Sequence, residues 1–136
     1  MNTGAYIYSK LSGTAGVTAL VSTRIYPMLI PQNAALPAVA YSVSNRPLDA
    51  NAKDRAAAHD VATVTFNIWS DAAFEQDAYS KLDAIDLAIR TALDFVSGTS
   101  GGVTCEFCKY ITSDDIINEE RTLFGRVSTY QVTIKN

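Results

Sequence analysis

The segment GVTALVSTRIYPMLIPQNAALPAVAY, Gly16–Tyr41, contains the clearest signals for how this chain folds. Its apolar run Val17–Val21 has the composition of a short helix. The alternation that begins at Ala38 predicts a strand, with every second side chain on the same face. Between the two, prolines exclude a regular helix, because proline lacks the backbone N–H and restricts the residue before it. These prolines are Pro27, Pro31 and Pro37.

Outside this segment, the pattern predicts a short N-terminal helix, three more strands and one long helix. Apolar residues at helical spacing from Ala72 to about Phe95 form a stripe that would face a sheet. The stripe consists of Phe74, Ala78, Leu82, Ile85, Ile89 and Leu93. The four predicted strands are Ala38–Asn45, Asp60–Trp69, Val103–Thr112 and Leu123–Lys135. Residues 97–102 read as a glycine-serine turn.

This order of elements predicts an α+β fold. We expect a mainly antiparallel four-stranded sheet, with the long helix packed on one face and short helices at the N-terminus. The chain has 136 residues, which fits one domain, residues 1–136, with one hydrophobic core.

Composition excludes several classes of function. The formal net charge is −3, which argues against a protein whose whole surface binds nucleic acid. The first residues lack the basic start and apolar run of a signal peptide, and no stretch reaches the roughly 20 apolar residues of a membrane span. We therefore expect a protein made in a cytoplasm, with no membrane partner and with reduced cysteines.

The only two cysteines form a CxxC motif, Cys105-Glu106-Phe107-Cys108. On a tight turn this motif is typical of a redox pair or of half a zinc site. Here it falls within a predicted strand, where residues three apart point to opposite faces about 10 Å apart. That exceeds the reach of a disulfide, which is about 7 Å between Cα atoms. The sequence therefore predicts two structural cysteines.

His59 is the only histidine, so any triad-like enzyme would have to use it. No nucleophile turn of the GxSxG type and no phosphate-binding glycine motif is present in the sequence. We read His59 as an exposed residue at a strand entry, and keep a small hydrolase that uses it as a remote alternative. No cofactor is expected. No metal is expected either, because Asp114, Asp115, Glu119 and Glu120 lack the spacing of the ligands in a calcium loop.

Two polar segments carry opposite charge and are the candidate interface. The segment Arg46–His59 is longer than a connection needs to be, as is Ser113–Arg121, which we read as an acidic loop. In one interpretation, both segments are solvent-exposed loop tips that make no specific contact. In the other interpretation, the two segments form contacts between subunits or with neighbouring rings. The candidate residues are Arg46, Lys53 and Arg55 in the first segment, and Asp114, Asp115, Glu119 and Glu120 in the second.

The order of several short motifs resembles a known family. Thr23-Arg24-Ile25-Tyr26-Pro27 precedes Leu36-Pro37-Ala38-Val39-Ala40-Tyr41. Phe66-Asn67-Ile68-Trp69-Ser70 leads into the long helix, and the last strand carries Arg126 and Tyr130. In this order the chain resembles the tail-completion, or tail-terminator, proteins of long-tailed bacteriophages (siphophages) and of prophages.

The resemblance implies a structural protein rather than an enzyme. Such proteins assemble as a ring, commonly a hexamer, which binds the end of the finished tail tube and stops its growth. The ring then joins the head, so the implied partners are the chain itself, the tail tube protein and a head–tail connector protein. DNA would pass through the ring without sequence-specific contact. The implied location is the neck of the virion, after assembly in the bacterial cytoplasm. Another connector or head-completion neck protein is the alternative.

Overall fold

The computed structural model describes residues 3–47, 59–71, 75–118 and 123–135. Within these residues, three helices and six strands follow one another. The helices are α1 (Thr3–Ser12), α2 (Ala15–Val21) and α3 (Glu75–Leu93). The strands are β1 (Ile25–Pro27), β2 (Ala38–Pro47), β3 (His59–Trp69), β4 (Gly98–Ser100), β5 (Val103–Ile117) and β6 (Phe124–Lys135).

The strands form a single curled sheet in the order β1-β2-β3-β6-β5-β4. β1 pairs with β2 in parallel, and all the other pairs are antiparallel. The predicted four-stranded, mainly antiparallel sheet is therefore wrong, since the sheet has six strands and is mixed. The two unexpected strands have three residues each and lie at the sheet edges. Such short segments carry too few residues to show the period of two by which strands are recognised.

All three helices contribute to one hydrophobic core on one face of the sheet, here called the helix-covered face. The stripe of α3 is confirmed where the structure describes it, because Leu82, Ile85 and Ile89 are buried. In the sheet, Tyr130 packs edge-on against Phe66 and Tyr110, with ring centroids 5.5 Å apart in both pairs.

α1 lies inside the curl of the sheet, because it contacts β1 and β2 near one edge and β4 and β5 near the other. The turn between β4 and β5 approaches the helix closely at Gly101, which has a φ of +61°. A Cβ at Gly101 would lie only 2.5 Å from the carbonyl oxygen of Ala5, so only glycine allows this approach.

The opposite face, here called the open face, contributes no residue to the core cluster formed by the described residues. Its central row consists of hydroxyl side chains from four neighbouring strands, in register with one another. The row is Ser42, Thr65, Thr129 and Thr112. β-branched threonine suits a strand and keeps this face polar and uncharged at its centre.

Candidate interaction surfaces

A polar network links α3 to β5 and β6 on the helix-covered face. Arg126 is buried, and its Nη1 donates to Asp83 Oδ1 at 2.7 Å while its Nε donates to Asp115 Oδ1 at 2.9 Å. Nη1 also lies 3.5 Å from Asp86 Oδ2. Burial alone would lower the pKa of Arg126, but its hydrogen bonds to Asp115 and Asp83 outweigh the effect of burial and raise the pKa overall. Three carboxylates thus face one guanidinium, which leaves this end of the sheet negative.

Hydroxyl groups complete this network around Asp86. Ser128 Oγ donates to Asp86 Oδ1 at 2.7 Å, and Ser113 Oγ donates to Asp86 Oδ2 at 3.2 Å. The hydroxyl of Tyr110 donates in turn to Ser113 Oγ at 2.7 Å. Because polar residues of β5 find partners on α3 and β6, the strand continues to Ile117, where the sequence predicted a loop from Ser113 onward.

The spacing of the two cysteines predicted that they point to opposite faces of the strand, and this prediction is wrong. Both are buried free thiols, and both belong to the core cluster. A register shift between Cys105 and Phe107 adds one residue to β5, so that Cys105 lies opposite Ile134 and Cys108 opposite Val132. Burial raises the pKa of Cys105, and burial with the nearby Cys105 and Asp94 raises the pKa of Cys108 to about 12. Both side chains are therefore protonated at neutral pH, which favours the structural role.

His59 lies at the start of β3, where its Nε2 is 4.0 Å from Glu106 Oε1. The two side chains are 37% and 46% exposed, so the pair lies at the surface. Within the described ranges, no three His, Cys, Asp or Glu side chains gather as a metal site would require. None of the described helices is both long and apolar enough to cross a bilayer.

Three of the seven candidate interface residues lie within the described residues. Arg46 is exposed near the end of β2, and Asp114 and Asp115 are exposed near the end of β5, within a strand rather than in a loop. Asp115 points to Arg126, whereas Asp114 lies opposite Val127 on the open face. The other four, Lys53, Arg55, Glu119 and Glu120, lie outside the described residues.

Strand register places Arg46 and Asp114 at opposite ends of the sheet. Arg46 lies in the row that crosses β6 at Thr133, and Asp114 lies opposite Val127, six residues away along the same strand. At about 3.3 Å per residue, the two rows are about 20 Å apart. Among the described candidates, the structure therefore does not bring Arg46 close to Asp114 within one chain.

The most prominent apolar group at one sheet edge is the Met28–Leu29 tip, which directly follows β1. These two side chains are 79% and 69% exposed. The backbone holds them in place, because the Met28 N–H donates to the Tyr41 carbonyl at 2.7 Å and the Leu29 N–H donates to the Pro27 carbonyl at 2.9 Å. Met28 has a φ of 70°, a conformation that methionine seldom adopts. Two large apolar side chains are thus held in water by a defined loop, which is typical of a contact surface.

An apolar groove of about 330 Å³ lies between α3 and the ends of β5 and β6. Its walls include Tyr79 and Leu82 of α3, Ile117 of β5 and Phe124 of β6, and Asp115 lies at its margin. We call it the α3–β5 groove. Tyr79 and Ile117 are about half exposed, so the apolar lining reaches the surface.

Charge is distributed unevenly along the sequence. The first 48 residues contain Lys10, Arg24 and Arg46 but no aspartate or glutamate, and all 14 acidic residues follow from Asp49 onward. The segment that forms α1, α2, β1 and β2 is therefore cationic, whereas α3 and the end of β5 carry the carboxylates around the groove. Our reading of the sequence missed this asymmetry, although counting charges over successive segments reveals it.

Comparison with known proteins agrees with the resemblance drawn from the motifs. The sequence profile of the family described as "Tail completion protein gp17" matches residues 5–135, which is nearly the whole chain. The chain belongs to this tail completion family. The family is one of structural phage proteins, in agreement with the expectation of a non-enzymatic role.

A solved structure supports the fold of this tail completion protein. A chain from the structure titled "Virion of native gene transfer agent (GTA) particle" has a TM-score of 0.75 to it. The similarity covers 97% of this chain and 93% of the other, at 20% sequence identity. No curated protein sequence matches the chain.

Proposed function

We propose that this protein completes a phage tail by forming a ring, of six copies, on the end of the finished tail tube. The ring stops further tube subunits from adding and presents the surface to which the head is joined. The observation that carries this proposal is the family match over residues 5–135. The site of action is the neck of the virion, after assembly in the host cytoplasm.

The separation of charge along the strands suits a ring that lies between two different neighbours. If the strands run roughly along the ring axis, Arg46 lies on one rim and Asp114 on the other, about 20 Å away. Lys53, Arg55, Glu119 and Glu120, which lie outside the described residues, remain proposed contact residues of the ring. Rims of opposite charge fix which side meets the tube protein and which side meets the head–tail connector.

The open face suits the passage of DNA without sequence-specific contact. Its row of hydroxyls, Ser42 to Thr112, offers no dense positive charge at its centre. Tight binding to the phosphate backbone depends on lysine and arginine, so a hydroxyl surface would let a duplex slide. We propose that this face lines the channel of the ring.

The test is tube growth in vitro. Tail tube protein from the same phage is polymerised with and without this protein, and tube lengths are measured by electron microscopy. A terminator holds the tubes at the length present when it is added. A connector or head-completion protein, the second candidate from the neck, would leave tube growth unchanged and bind to heads instead. Unchanged growth would therefore reject the terminator role.

A further inference from the structure

The Met28–Leu29 tip and the α3–β5 groove lie on different strands of the curled sheet. β1, which precedes the tip, is one edge of the sheet, and β5 is four strands away in the sheet order. At about 4.8 Å per strand, the path along the sheet between them is about 19 Å. Met28 and Leu29 remain mostly exposed and neither lines the groove, so the tip does not fill the groove of its own chain and both surfaces are available to other molecules.

The two surfaces lie in the same half of the sheet, with the tip near its central row and the groove at one end. β1 pairs with the first residues of β2, as far as Tyr41. Tyr41 lies in the same row as Phe66, Ser128 and Ser113, and the groove begins within the next four residues of β5. The tip is therefore offset from the groove by about three residues, or about 10 Å, along the strands. A contact between two different surfaces of one chain gives a closed ring if its rotation closes, and a tilt of each copy relative to the ring axis brings the two surfaces to one level.

The charges around the two surfaces are complementary. Arg24 immediately precedes β1, and the nearby Asp71 is already paired with Lys81 at 2.5 Å. Beside the groove, Asp83, Asp86 and Asp115 share the single guanidinium of Arg126. The edge with the tip is therefore positive, and the side with the groove is negative.

β1 is poorly suited to extend the sheet into a neighbour. The N–H of Ile25 already donates to Thr23 at 2.9 Å, and Pro27 has no N–H while its carbonyl accepts from Leu29. This edge strand therefore lacks free donors for pairing with another strand. Side chains rather than backbone must make the contact here, and Met28 and Leu29 are the side chains that project.

We infer that the Met28–Leu29 tip of one copy inserts into the α3–β5 groove of the next copy, and that this head-to-tail contact closes the ring. The inference rests on the proposed function for the existence of a ring, and it names the surfaces that form it. Methionine is suited to this role, because its flexible thioether adapts to an irregular apolar groove. Arg24 approaches the carboxylates beside the groove and sets the orientation.

The experiment traps the contact as a disulfide between copies. One protein carries Met28→Cys and a second, longer by a tag, carries Ile117→Cys. The native cysteines are buried, so they do not compete. The two proteins are mixed and oxidised, both free in solution and on tail tubes. The matched control replaces Ile117→Cys by Leu87→Cys, a position on α3 that is 66% exposed and does not line the groove.

We expect the Met28–Ile117 pair to cross-link about tenfold faster than the control pair, a ratio that corresponds to about 1.4 kcal/mol. A single chain with both cysteines should give a ladder that ends at a closed ring. Cross-linking no faster than the control, both in solution and on tubes, overturns the inference.

A second pair of variants separates this inference from the proposed function. Met28→Ser with Leu29→Ser should abolish ring formation, whereas Leu87→Ser should leave it intact. If the parent halts tube growth and the double serine variant does so equally well, the function stands and the contact lies elsewhere. If the cross-link forms but the parent does not halt tube growth, the contact stands and the proposed function is wrong.

Discussion

Arg126 Nη1 on β6 donates to Asp83 Oδ1 on α3 across 2.7 Å and so connects the helix to the sheet beside the groove. The Asp83 side chain is 67% exposed, whereas that of Arg126 is only 11% exposed. We therefore expect the hydrogen bonds around Asp86, which Arg126 shares with Ser113 and Ser128, to contribute more to the stability of the fold than the exposed contact with Asp83.

Replacing Arg126 with methionine should lower the free energy of unfolding by roughly 1–3 kcal/mol, because the carboxylate of Asp86 loses a charged partner while still buried. Asp83→Ala is the control and should cost less than about 1 kcal/mol, since an exposed carboxylate is well solvated. Denaturant unfolding measures both. Equal losses in the two variants would contradict this account of the network.

The ion pair between Lys81 and Asp71 predicts a dependence on pH. The hydrogen bond from Lys81 lowers the pKa of Asp71 below its ordinary value. The pair therefore adds stability above about pH 4 that is lost as the pH falls through the lowered pKa. Both side chains are about half exposed, so the contribution should stay below about 1 kcal/mol.

An NMR titration checks this pair directly. In Lys81→Met, the pKa of Asp71 should rise toward its ordinary value, and the stability difference from the parent should vanish in acid. An unchanged pKa of Asp71 in the variant would show that the pair does not form in solution.

Cys105 and Cys108 should do no chemistry. In the native protein a thiol reagent should react slowly at neutral pH, because both thiols are buried and protonated. A double change to alanine should leave metal content at background and tail completion intact, with a packing loss on the order of 1 kcal/mol. Stoichiometric zinc in protein purified without a metal-affinity tag would refute the structural role.

The two proposed rims of the ring predict that a charge reversal on each rim impairs binding to a different neighbour. Arg46→Glu should slow binding to one neighbour of the ring about tenfold, and Asp114→Lys should slow binding to the other by a similar factor. Neither should prevent ring formation, because Arg46 lies at the other end of the sheet from the groove, and Asp114 lies on the open face, opposite to the groove. Gln131→Glu, an exposed change in the middle of the sheet, is the control. The assay counts capped tubes and tubes joined to heads, and a loss of both in one variant would argue against separate rims.

Elements with a sustained period could be predicted from the sequence, and irregular ones could not. The burial of Ile85 and the existence of the strands β2 and β3 follow from clear periods of 3.6 and two. The bulge before Phe107 places both cysteines on the same face, and the pattern of side chains in the sequence does not predict this bulge. β5 passes through Asp114 and Asp115 because Arg126, which lies opposite on β6, compensates one of them, a partnership between residues distant in sequence.

The candidate surfaces divide in the same way. The charge of Arg46 and Asp114 is visible in the sequence, but their positions at opposite ends of the sheet depend on strand register. The groove depends on how α3 crosses the ends of β5 and β6, and the sequence does not show that crossing. Met28 and Leu29 read as ordinary apolar residues, and only the backbone around Pro27 makes them project.

Electron microscopy of tail tubes incubated with this protein tests the central claim most directly. Class averages of tube ends should show one closed ring of six copies at a single end of each tube, with tube length fixed from the moment of addition. Tubes that keep growing with bare ends, or protein bound along their sides, would contradict the assignment of this chain as the protein that completes the tail.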